Sequence, residues 1–228
     1  MQHIALIRVN LGNFEPEVQW VEQDLPDWIT MDTYRFTDKN FPPRSKSMLP
    51  RLQMHILKCF AWEYATGYDH YIWVDESMAM MNKDSAFWLL DKCLGYDFAC
   101  FEHPDRKSIR EEYDYMKYKL SDGSHYIPAR YTGEFIDEQM KIIEADKDYK
   151  DDLLIASTAF VYANTPRARN ALTIWWYHIS RYTVSDQLSF PYVIKKMEAS
   201  INILKENVFD FPYLTRVREK YRNGSKRT

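Results

Sequence analysis

Carboxylates stand at several points where short apolar runs of this chain stop: Asp38 after TYRFT, Asp75 after HYIWV, and Asp186, paired with Gln187, at the start of DQLSF. In open α/β sheets ligands gather at the carboxyl ends of strands, so these positions are the first to ask about. Asp75 is followed by Glu76 and Ser77. A carboxylate there can hold a hard divalent cation, Mg²⁺ or Mn²⁺, which takes oxygen ligands and bridges phosphates. Such a cation assists a diphosphate leaving group. An Asp that caps the turn after the strand is the plainer reading, and position alone does not separate the two.

Arg44, Lys46 and Arg51 gather before and at the start of a helical segment. Helix N-termini favour anions, and arginine grips phosphate bidentately. A solvated basic turn is the competing reading. FEHPDR (101–106) sets Glu102, His103 and Arg106 past another strand end, with Glu111 and Glu112 on the helix that follows. A histidine there can bind a hydroxyl or a metal, or simply face solvent. Asp186 at a helix start is explained by capping. Beside Gln187, it also suits gripping the hydroxyls of a sugar, and Trp176 offers a flat ring for stacking on one. Gly-rich phosphate loops, HExxH and GxSxG are absent, and six glycines in 228 residues leave little material for a glycine cradle.

The elements that must carry these residues read in order as strands alternating with helices. Ile4 to Val9, Thr33 to Thr37, His70 to Val74, Asp97 to Phe101 and Leu153 to Ala163 have strand character. Arg51 to Tyr64 has helical spacing, with Leu52, His55, Ile56, Cys59, Phe60 and Glu63 on one face. Further helices are expected from Asp84 as cap to Asp91, over Arg106 to Leu120, Gly133 to Ala145 and Pro166 to about Arg181, and from Ser185-Asp186 onward. The order predicts an α/β fold with a mostly parallel central sheet flanked by helices. A chain of this length suits one domain, expected over residues 1–213, with residues 214–228 as a basic C-terminal tail.

A net charge of −3 gives no general attraction to nucleic acid, though Arg216, Arg218, Lys220, Arg222, Lys226 and Arg227 form a local basic run. Cys59, Cys93 and Cys100 lack a CxxC spacing and sit in apolar surroundings, as buried free thiols of a reducing compartment do. No signal peptide and no span-length apolar stretch is visible, and a cytoplasmic location is expected.

Taken in order, RSKSMLPRL, YDHYIWVDES, FEHPDRKSIREE and SRYTVSDQLSF resemble the motifs of a family of GT-A-like hexosyltransferases. That family includes plant mucilage-related and ceramidase-named members, with bacterial and viral relatives. The resemblance covers about residues 33–197. It implies a GT-A-type nucleotide-sugar-binding domain, a nucleotide-sugar donor (UDP-sugar favoured), a divalent cation, and a glycan or small-molecule acceptor. Carried over, Asp75 takes the metal or diphosphate role, with Ser77 at the second position of a DxD motif. Arg44 or Lys46 holds the phosphate, Asp186 and Gln187 stand at the reaction centre, and His103, Arg106 and Glu112 line the sugar or acceptor side. Beside what the resemblance carries over, Asn10 and Asp38 at their strand ends and Arg51 are expected at the donor, and Trp176 at the sugar or acceptor side. The chain departs from the family pattern at five points: Glu76 replaces a glycine, Ser77 a second aspartate and Ser185 an arginine, Arg44 with Lys46 only approximates R-x-x-K, and no histidine follows Tyr182. They motivate one alternative, a degenerate domain that binds nucleotide or glycan without turnover; the basic tail motivates another, a transferase acting on modified nucleic acid. That tail could equally close over the donor as a lid.

Overall fold

The first strand is covered on both sides, and this organises the molecule. The computed structural model of the chain describes residues 1–216 except Pro16 and Ser124. In β1 (Gln2–Asn10) every residue from Ile4 onward is buried. Ala5, Ile7 and Val9 enter one core with Trp73 and Trp175; Ile4 and Leu6 enter a second with Ile72, Leu89 and Phe101. Strands buried on both faces belong inside helix-covered sheets. β2 (Ile29–Thr37) and β3 (His70–Val74) flank β1 in parallel. Beyond β3 lie β6 (Ile155–Ala163), β5 (Phe98–Glu102) and β7 (Ile201–Leu204), in the order β2-β1-β3-β6-β5-β7. Only β6 runs against its neighbours in this sheet. The sheet is therefore mixed and mostly parallel, in the α/β class that the alternating runs predict.

Helices cover both faces. α1 (Pro50–Tyr64), α3 (Ile109–Ser121), α5 (Ile136–Ala145), α6 (Pro166–Arg181) and α7 (Phe190–Lys196) contribute to the first core, and α2 (Ser85–Cys93) to the second. A short α4 (Tyr126–Tyr131) packs beside α3. A second, small sheet joins β4 (Met78–Ala79), β9 (Leu214–Arg216) and β8 (Asp210–Phe211). The first three residues of the expected tail thus pair within the fold, while Arg218, Lys220, Arg222, Lys226 and Arg227 lie outside the described residues. Among the described residues no helix is long and apolar enough to cross a membrane. Cys59, Cys93 and Cys100 are buried and unpaired.

Four local differences from the sequence reading bear on the site. α3 begins at Ile109 and not Arg106, because Ser108 Oγ accepts from Glu111 N (3.1 Å) and Asp151 accepts from Ile109 N and Arg110 N; Arg106 is left in the loop. Asp84 precedes α2 without a side-chain cap bond. The DQLSF segment is a single 3₁₀ turn, Asp186–Leu188, followed by α7 with a proline in its first turn, rather than one helix. In α1 the buried side chains are Gln53, His55, Leu57, Lys58, Cys59 and Ala61, and the backbone is non-helical at Phe60. Three polar groups on that face point inward, so the apolar spacing over Leu52 and Ile56 mis-set the face.

Register supplies the last positioning device. β5 pairs Cys100 with Phe160 and then Phe101 with Ala156, leaving residues 157–159 of β6 without partners on that side. Such bulges re-aim groups near functional sites. Because β6 is antiparallel, this stretch lies at the same sheet edge as the carboxyl ends of β1, β2, β3 and β5.

Candidate active site

At that edge, β3 ends in Asp75, whose N–H donates to the carbonyl of Thr158 in the β6 bulge (2.8 Å). Trp73, two residues earlier on the same strand face, donates its indole N–H to Asp75 Oδ1 (2.8 Å). The carboxylate is thereby aimed and stays 29% exposed. Asp186, on the 3₁₀ turn, comes up beside it. Its Oδ1 accepts from Ser157 Oγ of the bulge (2.8 Å), and its Oδ2 accepts from Lys58 Nζ (2.6 Å) and lies 3.3 Å from His55 Nε2. Trp175 Nε1 donates to the Asp186 carbonyl (3.1 Å) and stacks on Phe190, which pins the turn from α6 and α7. The Lys58 ammonium also faces Asp75 Oδ1 at 3.7 Å, and it lies between the rings of Trp73 and Trp175.

The charges in this cluster are held by one another. Burial opposes the Lys58 charge, but the Asp186 and Asp75 carboxylates outweigh it and lift the ammonium above its ordinary pKa. For Asp186, burial is again the largest effect, and Lys58 with His55 overcomes it, so the carboxyl is held far below the usual carboxylate range. Asp75 goes the other way: burial, helped by the Asp186 charge, pushes its pKa up. Two neighbouring carboxyls with affinities driven apart are the pattern of a site with divided roles.

On the β1–β2 side, Asp38 accepts from Gly12 N (2.7 Å) and pairs with Arg44, which also donates to Gln53 Oε1 (3.1 Å). Gly12 has φ +80°, and a Cβ there would meet Phe14 at 2.6 Å, so the turn that offers this N–H needs glycine. Asn10 is turned into its own loop, donating to Glu15 O and accepting from Phe14 N, so its side chain serves that loop. Lys46 is exposed. Arg51, in the first turn of α1, donates Nη2 to the carbonyl of Arg130 (2.6 Å) and lies over Tyr131, while its buried Nη1 has no hydrogen-bond partner. Burial and the Arg130 charge both lower the Arg51 pKa. A desolvated guanidinium with an unused donor is suited to an anion.

On the β5 side, His103 is buried and its Nδ1 accepts from the backbone N–H of Asp105 (3.1 Å) and Arg106 (3.2 Å). Burial and the Arg106 charge lower its pKa to about 4, so it is neutral. Arg106 pairs with the buried Glu112 and lies over the ring of Tyr115. Burial raises the Glu112 pKa, and the charge of nearby Asp186 adds to it. These three therefore form one linked group beside Asp186. Gln187 is half-buried in the same turn as Asp186. Trp176 instead packs edge-on against Phe60 of α1, on the flank of the core, and the tryptophan that reaches the cluster is Trp175.

The groups around Asp75 do not make a cation cage. Glu76 points into the opposite layer, where Arg8 (3.2 Å) and Arg35 (2.8 Å) hold it. Ser77 brings a hydroxyl and no charge. Among the described residues no group of three or more His, Cys, Asp or Glu is arranged to hold a metal, and the ammonium of Lys58 already stands between the two nearest carboxylates. Residue types and geometry thus do not fit a resident divalent ion, contrary to the expectation for Asp75 and Ser77.

Sequence reasoning passed over Lys58, His55, Ser157 and Trp175. The available signal was the HxxK spacing of His55 and Lys58, which puts both on the face that carries Cys59.

The family model described as "TOD1/MUCI70, glycosyltransferase-like domain" matches residues 42–220. Among solved structures, the chain is similar to mouse xyloside xylosyltransferase 1 in its apo form (TM-score 0.48, 10% identity, 89% of this chain and 85% of that chain). It is also similar to a glycosyltransferase involved in glycosylation of the major capsid of PBCV-1 (TM-score 0.42, 8% identity, 89% and 81%). A comparison with curated protein sequences finds no match.

Proposed function

The chain belongs to the TOD1/MUCI70 glycosyltransferase-like family, and from that premise we propose that it transfers a hexose from a UDP-sugar to a hydroxyl of a glycan. The observation that carries this reading is the convergence of Asp75 and Asp186 on Lys58 at the ligand-binding edge of the sheet. Asp186, saturated by Lys58, His55 and Ser157, is a fixed negative charge. Its role is electrostatic: it stabilises positive charge growing on the sugar as the bond to diphosphate breaks. Asp75 is the exposed partner of the pair, free to contact the sugar or the incoming hydroxyl. Arg51, with its unused Nη1 at the start of a 15-residue helix, is the natural counter-charge for the departing phosphate. Lys46, exposed ahead of α1, adds positive charge on the donor side. Arg106, Glu112 and His103 form the acceptor side, where the guanidinium, held by Glu112 and by the neutral imidazole of His103, presents donors to hydroxyls.

The test is donor hydrolysis and transfer with a panel of UDP-, GDP- and TDP-sugars. Turnover of a UDP-sugar is expected. Asp75→Asn, which keeps an acceptor for the Trp73 indole, is expected to lower turnover by about two orders of magnitude with an unchanged melting temperature. Binding without turnover of any donor, in the parent protein as in the variant, would remove the catalytic reading and leave a binding domain.

A further inference from the structure

We infer that Lys58 is the built-in cation of this site, standing where a divalent ion would otherwise join Asp75 and Asp186, so that the donor is bound without a metal on Asp75. The two carboxylates that a divalent ion would bridge both face one point: Asp186 Oδ2 lies 2.6 Å from Lys58 Nζ and Asp75 Oδ1 3.7 Å from it, while His55 Nε2 lies 3.3 Å from the same Asp186 oxygen. Between the two carboxylates stands an ammonium. It is no surface lysine that has folded inward by chance. Its side chain is 2% exposed, and the rings of Trp73 and Trp175 enclose it with centroids at 5.3 and 5.7 Å. Both rings are themselves fixed by hydrogen bonds to the two aspartates, Trp73 to the Asp75 side chain and Trp175 to the Asp186 carbonyl. Lysine, rings and carboxylates thus form a closed unit.

A divalent ion on Asp75 would face this buried ammonium across a single carboxylate, and like charges that close repel. The nearest other acids are already committed, Glu76 to Arg8 and Arg35 on the other side of the sheet and Glu112 to Arg106. Lys58 does not reach the surface to touch donor, so it acts as a positioning residue. It keeps Asp186 ionised and holds the two carboxylates at a working separation.

The probe is Mn²⁺ alone, titrated by electron paramagnetic resonance into the full chain. The parent protein is expected to show no one-to-one binding. Lys58→Met, similar in length and apolar, leaves two carboxylates and an imidazole uncompensated, and is expected to bind Mn²⁺ at least about tenfold more tightly than the parent. Adding Asp75→Asn to that variant is expected to abolish the gained site. One-to-one Mn²⁺ binding by the parent that Asp75→Asn removes would overturn the inference, as would a folded Lys58→Met that gains nothing. If Lys58→Met fails to fold by circular dichroism, the parent itself decides through calorimetric titration with UDP. Equal Kd in EDTA and in Mn²⁺, within about twofold, supports the inference; tightening by Mn²⁺ of about tenfold or more that Asp75→Asn removes overturns it. This arm rests on the UDP-sugar reading. A parent that binds no UDP in either buffer defeats that reading, and the Mn²⁺ titration of the parent then decides the inference alone.

Discussion

Lys58 Nζ lies 2.6 Å from Asp186 Oδ2, an ion pair between residues 128 positions apart in the chain. It ties the third turn of α1, packed against the sheet, to a 3₁₀ turn closed by only two backbone hydrogen bonds, Leu188 N to Ser185 O and Ser189 N to Asp186 O. The placing of Asp186 therefore depends on tertiary contacts of α1, α6 and β6 as well as on its own turn.

Removing either member should cost more than removing both. Asp186→Asn leaves a buried ammonium facing only Asp75, and Lys58→Met leaves a buried carboxylate. Each is expected to destabilise the protein by roughly 3 kcal/mol or somewhat more, with the Lys58→Met/Asp186→Asn double variant recovering a large part of the loss. Urea denaturation of the four proteins measures the coupling. Additive losses would mean that the two side chains are held independently.

Arg51→Met tests the phosphate contact. Among the described residues no salt bridge joins Arg51 to a carboxylate, so the substitution loses one hydrogen bond to the Arg130 carbonyl and contact with Tyr131. A modest fall in melting temperature is expected, together with UDP binding weakened by about tenfold. Calorimetry reads both. Unchanged UDP affinity would move the diphosphate away from the start of α1.

Acid should destabilise the fold through histidines before it reaches the carboxylates. Burial lowers the pKa of both His103 and His178 from 6.5 to about 4, with the Arg106 charge adding to the effect at His103. Between these values the unfolded chain binds protons that the folded chain refuses, so stability falls as pH drops from about 6.5 to about 4 and then levels for these two groups. Asp186, whose folded pKa is depressed, contributes stability above the ordinary carboxylate range and loses it only at more acidic pH. Thermal melts across pH 7 to 4 check this. His103→Asn keeps an acceptor for the two backbone N–H groups and should flatten the slope in that window.

Much of the frame was legible in the residues. HYIWV is a buried strand because five consecutive bulky residues have no polar face to offer water, and its stop at Asp75 is visible in the text of the chain. The start of α6 at Pro166 behind Thr165, whose hydroxyl accepts from Ala168 N (3.0 Å), follows from local chemistry. Asp186 was legible as a carboxylate at an element start, though not its turn type. The direction of β6 was not legible: a run of apolar residues looks the same in either direction, and only its neighbours in the sheet decide. Nor was the bulge at residues 157–159, which exists only as a mismatch with β5.

By itself the sequence determined the alternation of strands and helices, the strand end that carries Asp75, and the acidic pair Asp186-Gln187 with its motif. Tertiary structure alone decided that Lys58 is buried, that it faces both aspartates, and that Trp175 rather than Trp176 stands over it. The physical reason is the range of the forces involved. Apolar periodicity and capping act over a few residues and can be read locally, whereas burying a charge is permitted only by an opposite charge that folding brings from far along the chain.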